Sequence, residues 1–168
     1  MDVQVNNITK IKKLLYHIAI SVPFKPNSTK LAESIELNRQ TLNTYLNYLH
    51  EANIIYLLWQ SGKSYSLISK PEKIYLHNPN ICHLVTQSKL NIGNLRETFF
   101  VNQVSASHSI NSSLYGDFLV DNIYHFEIDG EDKGFKQIAK VPKSYVAIDE
   151  QMVGVGNKIP LWLFGFLY

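Results

Sequence analysis

The sequence has 168 residues, 45% hydrophobic and 18% charged, a balance that excludes a disordered tail and allows one domain or two small ones. A net charge of +2 is too small to mark a nucleic-acid-binding surface by itself. The single cysteine, Cys82, excludes an internal disulfide, and with no charged leader ahead of an apolar stretch the expected setting is the cytoplasm.

Residues 8–20 place Ile8, Ile11, Leu14, Leu15 and Ile18 at helical spacing. "PFKPN" at 23–27 ends that helix, and Asn27 or Ser28 can cap a short second one, "TKLAESI". A third helix, "RQTLNTYLNYLHEAN", takes Asn38 as its cap and buries Leu42, Tyr45, Leu46 and Leu49. "IIYLLWQ" and "YSLIS", joined by Ser61-Gly62-Lys63-Ser64, predict a two-stranded hairpin. Three helices followed by a hairpin predict a winged helix-turn-helix within residues 1–70.

A second unit is expected over 71–168, reached through "SKPEK", a short joint that holds Pro71 and no Gly/Ser spacer, so the two units should share an apolar interface. Its predicted order is a strand (73–77), a helix (92–105), strands at 114–120 and 123–129, a helix (133–141), a strand (144–149) and an apolar end. That end, "IPLWLFGFLY" at 159–168, is too short to span a bilayer and predicts a buried terminal strand. Helices and strands mix, with too few βαβ repeats for a doubly wound sheet, so the fold class is α+β.

Three local signals bear on chemistry. "SGKS" at 61–64 copies the end of a phosphate-binding loop, but the glycine required five positions before Gly62 is Leu57. A turn between two strands explains it better, and no ATP site is expected in this chain. The second signal is the third helix, whose polar side carries Gln40, Asn43, Thr44 and Asn47, with Arg39 at its start. Amides can pair with adenine in the major groove, and Lys10, Lys12, Lys13 and Lys63 could meet phosphates. The other account of the same residues is a solvated amide face.

The third signal is "GDFLVDNIYHFEIDG" at 116–130. Phe118, Val120, Tyr124, Phe126 and Ile128 share one face only if the connecting loop has an odd number of residues. A three-residue loop, Asp121-Asn122-Ile123, pairs Val120 with Tyr124 and sets Asp117 beside Glu127, with Cβ atoms roughly 5 Å apart. Such a pair wants a cation between its members or a raised pKa on one of them, and Mg²⁺ suits hard oxygen ligands. Alternatively both carboxylates line the solvent face of a hairpin. Other chemistry is missing from the pattern: no second cysteine completes a zinc set, and neither HExxH nor a G-x-S-x-G elbow is present.

"KPEKIYLHNPNI", "NIGNLRETFFVNQV", "GDFLVDNIYHFEIDG", "KQI" and "GVGNKIPLWLFGFLY" together resemble the C-terminal region of a large prokaryotic family of AAA-type ATPases. The resemblance covers about residues 8–168 in the family's order and spacing. In that family a P-loop module precedes a winged helix and a domain of unknown function with a PD-(D/E)XK restriction-endonuclease-like core. The resemblance implies that this chain belongs to a longer ATPase and that its partners are its own ATPase module and DNA, with no membrane. It also implies that Asp117 matches the metal-binding aspartate, Glu127 the acidic member of the E-x-K step, and Glu97 a further acidic residue, with Mg²⁺ as the cofactor. The E-x-K lysine is missing, because the residue two after Glu127 is Asp129. Lys133 or Lys136 could reach back from the following helix, and Lys136 is the candidate catalytic residue.

The expected function is therefore a non-catalytic accessory region of an AAA-type ATPase that binds a protein or nucleic-acid partner. The alternatives are a Mg²⁺-dependent nuclease using Asp117 and Glu127, and a winged-helix DNA-binding regulator. A lysine amine within ~4 Å of the Glu127 carboxylate region would distinguish the first alternative.

Overall fold

A computed structural model describes residues 2–21, 23–62, 70–86, 91–129 and 138–167. Helix α1 (Asp2–Ala19) starts ahead of its apolar stripe, with Leu14 and Ile18 fully buried, Ile11 and Leu15 half-buried and Ile8 exposed. Helix α2 (Ser28–Ser34) is capped by Asn27, whose side chain accepts from the Lys30 N–H at 3.2 Å. Helix α3 (Arg39–Glu51) is capped by Asn38, which accepts from the Thr41 N–H at 2.8 Å. Both caps satisfy amides that the first helical turn leaves without partners. The stripe Leu42, Tyr45, Leu46 and Leu49 is buried as its spacing predicts.

Strand β1 (Ile55–Leu58) pairs antiparallel with β2 (Lys73–Leu76), Ile55 opposite Leu76. The sequence predicts a partner at 65–69 instead; that segment and Lys63 lie outside the described residues. Phe24, between α1 and α2, forms a bridge to Ile74, with hydrogen bonds of 2.9 and 2.8 Å in the two directions. Gly62 sits at φ +80°, as a tight turn after β1 requires.

Helix α4 (Pro79–Thr86), which apolar periodicity does not announce, packs on α1. Its proline first residue and the Asn78 side chain, accepting from the Asn80 N–H at 2.9 Å, set its start. Helix α5 (Ile92–Val104) is capped by Asn91 and buries Thr98, Phe100, Val101 and Val104. A five-stranded mixed sheet follows, in the order β3 (Ile110–Ser112), β4 (Phe118–Val120), β5 (Tyr124–Asp129), β6 (Ser144–Ile148) and β7 (Lys158–Pro160). β3, β4 and β5 run antiparallel to their neighbours, whereas β5, β6 and β7 are parallel. The molecule is thus α+β.

Three predicted elements differ in the structure, the first being the strand expected at 114–120, which begins only at Phe118 after bends at 114–117. Of the helix expected at 133–141, residues 133–137 fall outside the described set, and 138–140 form a turn. The apolar end is a strand only to Pro160; Leu161–Phe166 winds into a 3-10 helix. A strand would have buried alternate residues, but Leu161 and Phe164, three apart, eclipse on a 3-10 helix and are the buried pair. Trp162, Leu163 and Phe166 are exposed.

Phe100 centres the packing. Its ring lies 5.2 Å from Phe118, 5.1 Å from Phe126 and 4.8 Å from Phe164, and Tyr75 lies 5.8 Å from Phe118. Through Tyr75 the core of α1–α3 and β1–β2 runs without interruption into the core under the larger sheet. The two sheets also meet edge on, where Gln60 bridges Ser112 and the Ser112 N–H donates to the Trp59 carbonyl at 2.7 Å. On the far face of the larger sheet, Val146 and Ile148 pack with Ile138. No helix among the described residues is long and apolar enough to cross a membrane.

Candidate functional site

The 121–123 loop has the odd length that the apolar alternation demands, and Val120 pairs with Tyr124, Leu119 with His125 and Phe118 with Phe126. Asp121 and Asn122 hold the loop at φ 52° and 56°, a left-handed conformation that Asp and Asn tolerate better than most residues. Asp121 accepts from the Ser109 N–H at 3.0 Å and pairs with His108 at 2.7 Å, which anchors the loop to the start of β3.

The paired register ends with Phe118 opposite Phe126, one residue short of Asp117 and Glu127. The ladder ends there differently from a plain hairpin. The Asp117 N–H donates to the Phe126 carbonyl at 2.9 Å, and an Asp117 carboxylate oxygen, Oδ2, accepts from the Ile128 N–H at 3.0 Å. A side chain thus stands where a strand carbonyl would otherwise be. Gly116 permits the close approach: a Cβ on it would lie 2.7 Å from the Phe126 carbonyl oxygen and 3.4 Å from Glu127 Oε2.

Three elements converge on Asp117. Glu97 comes from α5, and Lys73 and Tyr75 come from β2, two residues apart and so on one face of that strand. The Lys73 ammonium lies 3.2 Å from Glu97 Oε2 and 3.8 Å from Asp117 Oδ1. The Tyr75 hydroxyl donates to the same Glu97 Oε2 at 2.6 Å. Lys73 also lies 6.0 Å from the Tyr75 ring centre and 5.9 Å from that of Phe118, at the outer range of cation–π attraction. The side chains of Lys73, Glu97 and Asp117 are only 15%, 18% and 23% exposed, so water screens them weakly.

Burial pushes the Asp117 carboxyl above its ordinary value, and the Glu97 charge adds to that rise. The Ile128 N–H and Lys73 pull it down, while Asp129 raises it again. Asp129, itself buried, is therefore near enough to contribute charge. Burial, together with Glu97, drives the Tyr75 phenol far above its ordinary value, so it remains a donor at any physiological pH. One ammonium thus serves a cluster with more than one carboxylate.

The donor set does not suit Mg²⁺, which demands near-octahedral oxygen ligands. Glu97 Oε2 already accepts from two donors, Asp117 Oδ2 accepts from a backbone N–H, and the ammonium faces Oδ1. Among the described residues no three His, Cys, Asp or Glu side chains gather as a metal would need. Lys133 and Lys136, the lysines that could reach back in the sequence, lie outside the described residues. Lys73 and Tyr75 were legible only as a strand; their spacing shows a shared face, but nothing in the sequence says that this face meets Glu97.

On α3 the predicted polar face divides. Arg39 and Gln40 are exposed, Asn43 and Thr44 half-buried, and Asn47 is buried. Thr44 turns its hydroxyl back to the Gln40 carbonyl at 3.1 Å. Lys10 donates to the Glu36 carbonyl at 2.8 Å, whereas Lys12 and Lys13 are exposed. No family model, no curated protein and no solved structure matches the chain.

Proposed function

We propose that this chain is a non-catalytic accessory region of an AAA-type ATPase, in which a winged helix leads into a restriction-endonuclease-like domain that no longer cleaves. The order α1, Phe24 bridge, α2, α3, β1, β2 supports the winged helix. The order α5, β3, β4, β5, then parallel β6 supports the nuclease-like core, with its acidic residues at Glu97, Asp117 and Glu127. One observation carries the loss of cleavage: the nearby lysine is held between Glu97 and Asp117, and the E-x-K position is Asp129. A lysine engaged with two carboxylates is not free to orient an attacking water, and an extra carboxylate repels a phosphodiester. The partners are the chain's own ATPase module and a protein or nucleic acid that the module acts upon.

The same lysine favours a second reading, a Mg²⁺-dependent nuclease using Asp117 and Glu127, because its ammonium stands 3.8 Å from Asp117. A DNA-reading role for α3 draws less support, with Asn47 buried. Incubation with Mg²⁺ or Mn²⁺ and mixed single- and double-stranded nucleic acids separates the two main readings. No cleavage is expected; metal-dependent cleavage that Asp117→Ala abolishes would establish the nuclease instead.

A further inference from the structure

We infer that Lys73 is a tethered cation standing where a divalent metal would sit, so that Glu97 and Asp117 lock β2 against α5 and the head of β4 and hold no Mg²⁺. The ammonium lies between the two carboxylates, 3.2 Å from one and 3.8 Å from the other. Its position is not adjustable in the way an exposed lysine's is. The side chain is 15% exposed and runs beside the Tyr75 and Phe118 rings, both of which belong to fully buried residues.

The ligand oxygens are committed as well. Glu97 Oε2 accepts from the ammonium and from the Tyr75 hydroxyl, and Asp117 Oδ2 accepts from the Ile128 N–H. A metal ion entering here would face the ammonium at short range and would have to displace a buried phenol. Two carboxylates that would otherwise repel therefore gain a permanent counter-ion from the chain itself. The three groups come from β2, α5 and the residue before β4, so the ion cluster joins the small sheet to the large one. The inference rests on the non-catalytic reading of this cluster, but metal affinity without nucleic acid is a readout separate from the cleavage assay.

The test is Mn²⁺ binding to the full 168-residue chain, read from loss of the free-ion electron paramagnetic resonance signal, with thermal unfolding alongside. The parent chain is expected to take up no Mn²⁺ at this cluster and to melt at the same temperature with or without it. Lys73→Met should melt lower without metal, recover on adding Mn²⁺, and bind the ion at least about tenfold more tightly than the parent. Adding Asp117→Asn to that variant should abolish the gain. Parent binding that Asp117→Asn removes, or a folded Lys73→Met with the parent's Mn²⁺ affinity, overturns the inference. Should Lys73→Met not fold even with Mn²⁺, adding Glu97→Gln restores the charge balance and must restore folding. A double variant that stays unfolded assigns Lys73 a packing role and also overturns it.

Discussion

Asp117 is where burial, charge and backbone geometry meet. Its carboxylate completes the end of the β4–β5 ladder by accepting from the Ile128 N–H, yet burial and Glu97 oppose its ionisation. A carboxyl whose folded pKa is raised stabilises the fold while protonated, and that contribution is lost as pH rises through the folded value. Asp117→Asn keeps an acceptor for Ile128 and removes the charge. Its melting temperature should exceed the parent's at neutral pH, and the gap should shrink as pH falls through the raised folded value and close below the ordinary value of 3.8, where both chains are neutral at this position. Thermal melts across that range check the sign; a variant less stable than the parent at neutral pH contradicts it. The pairing of Val120 with Tyr124 across a three-residue loop was legible from period-two alternation. Lys73 was not, because an ion pair between residues 24 positions apart leaves no local pattern.

α3 appears where its cap and its apolar spacing put it, and β5 and β6 where strands are expected. Short elements escape. β3 has three residues, two of them polar, and owes its strand form to pairing with β4. The apolar end was legible as buried material but not as a 3-10 helix. Pro160 has no N–H to continue the ladder beyond β7, and Phe164 is drawn against Phe100 at 4.8 Å and Phe126 at 5.6 Å. Phe164→Ala should therefore cost about 3–5 kcal/mol, the usual range for emptying a buried aromatic site. Denaturant unfolding measures this. A loss within experimental error would mean that the 3-10 helix is dispensable to the core.

Across the whole molecule the two expected units are not insulated from each other. The Ile74–Tyr75–Leu76 strand belongs to the same apolar cluster as Leu14 and Ile18 on one side and Phe100 and Phe118 on the other. The Lys73 cluster and the Gln60–Ser112 bridge add polar links along that seam. The chain's two tryptophans are Trp59, after β1 and packed against the core, and Trp162, in the 3-10 helix. Trp59→Phe and Trp162→Phe, each leaving one probe, should unfold with coincident denaturant midpoints, as one cooperative body does. Separated midpoints would show two units that unfold independently.

The sequence by itself determined the α+β class, the cap at Asn38, the buried stripe of α3 and the register that pairs Val120 with Tyr124. Each of these follows from forces acting between near neighbours along the chain: side-chain periodicity, amides in search of acceptors, and a loop whose parity decides which faces match. Only the tertiary structure decided that β2 pairs with β1, that Asn47 is buried, and that Lys73 stands beside Asp117. Those outcomes depend on which surfaces meet when apolar faces are buried together. Electrostatic energy in that weakly screened space is set by distances that sequence separation does not encode.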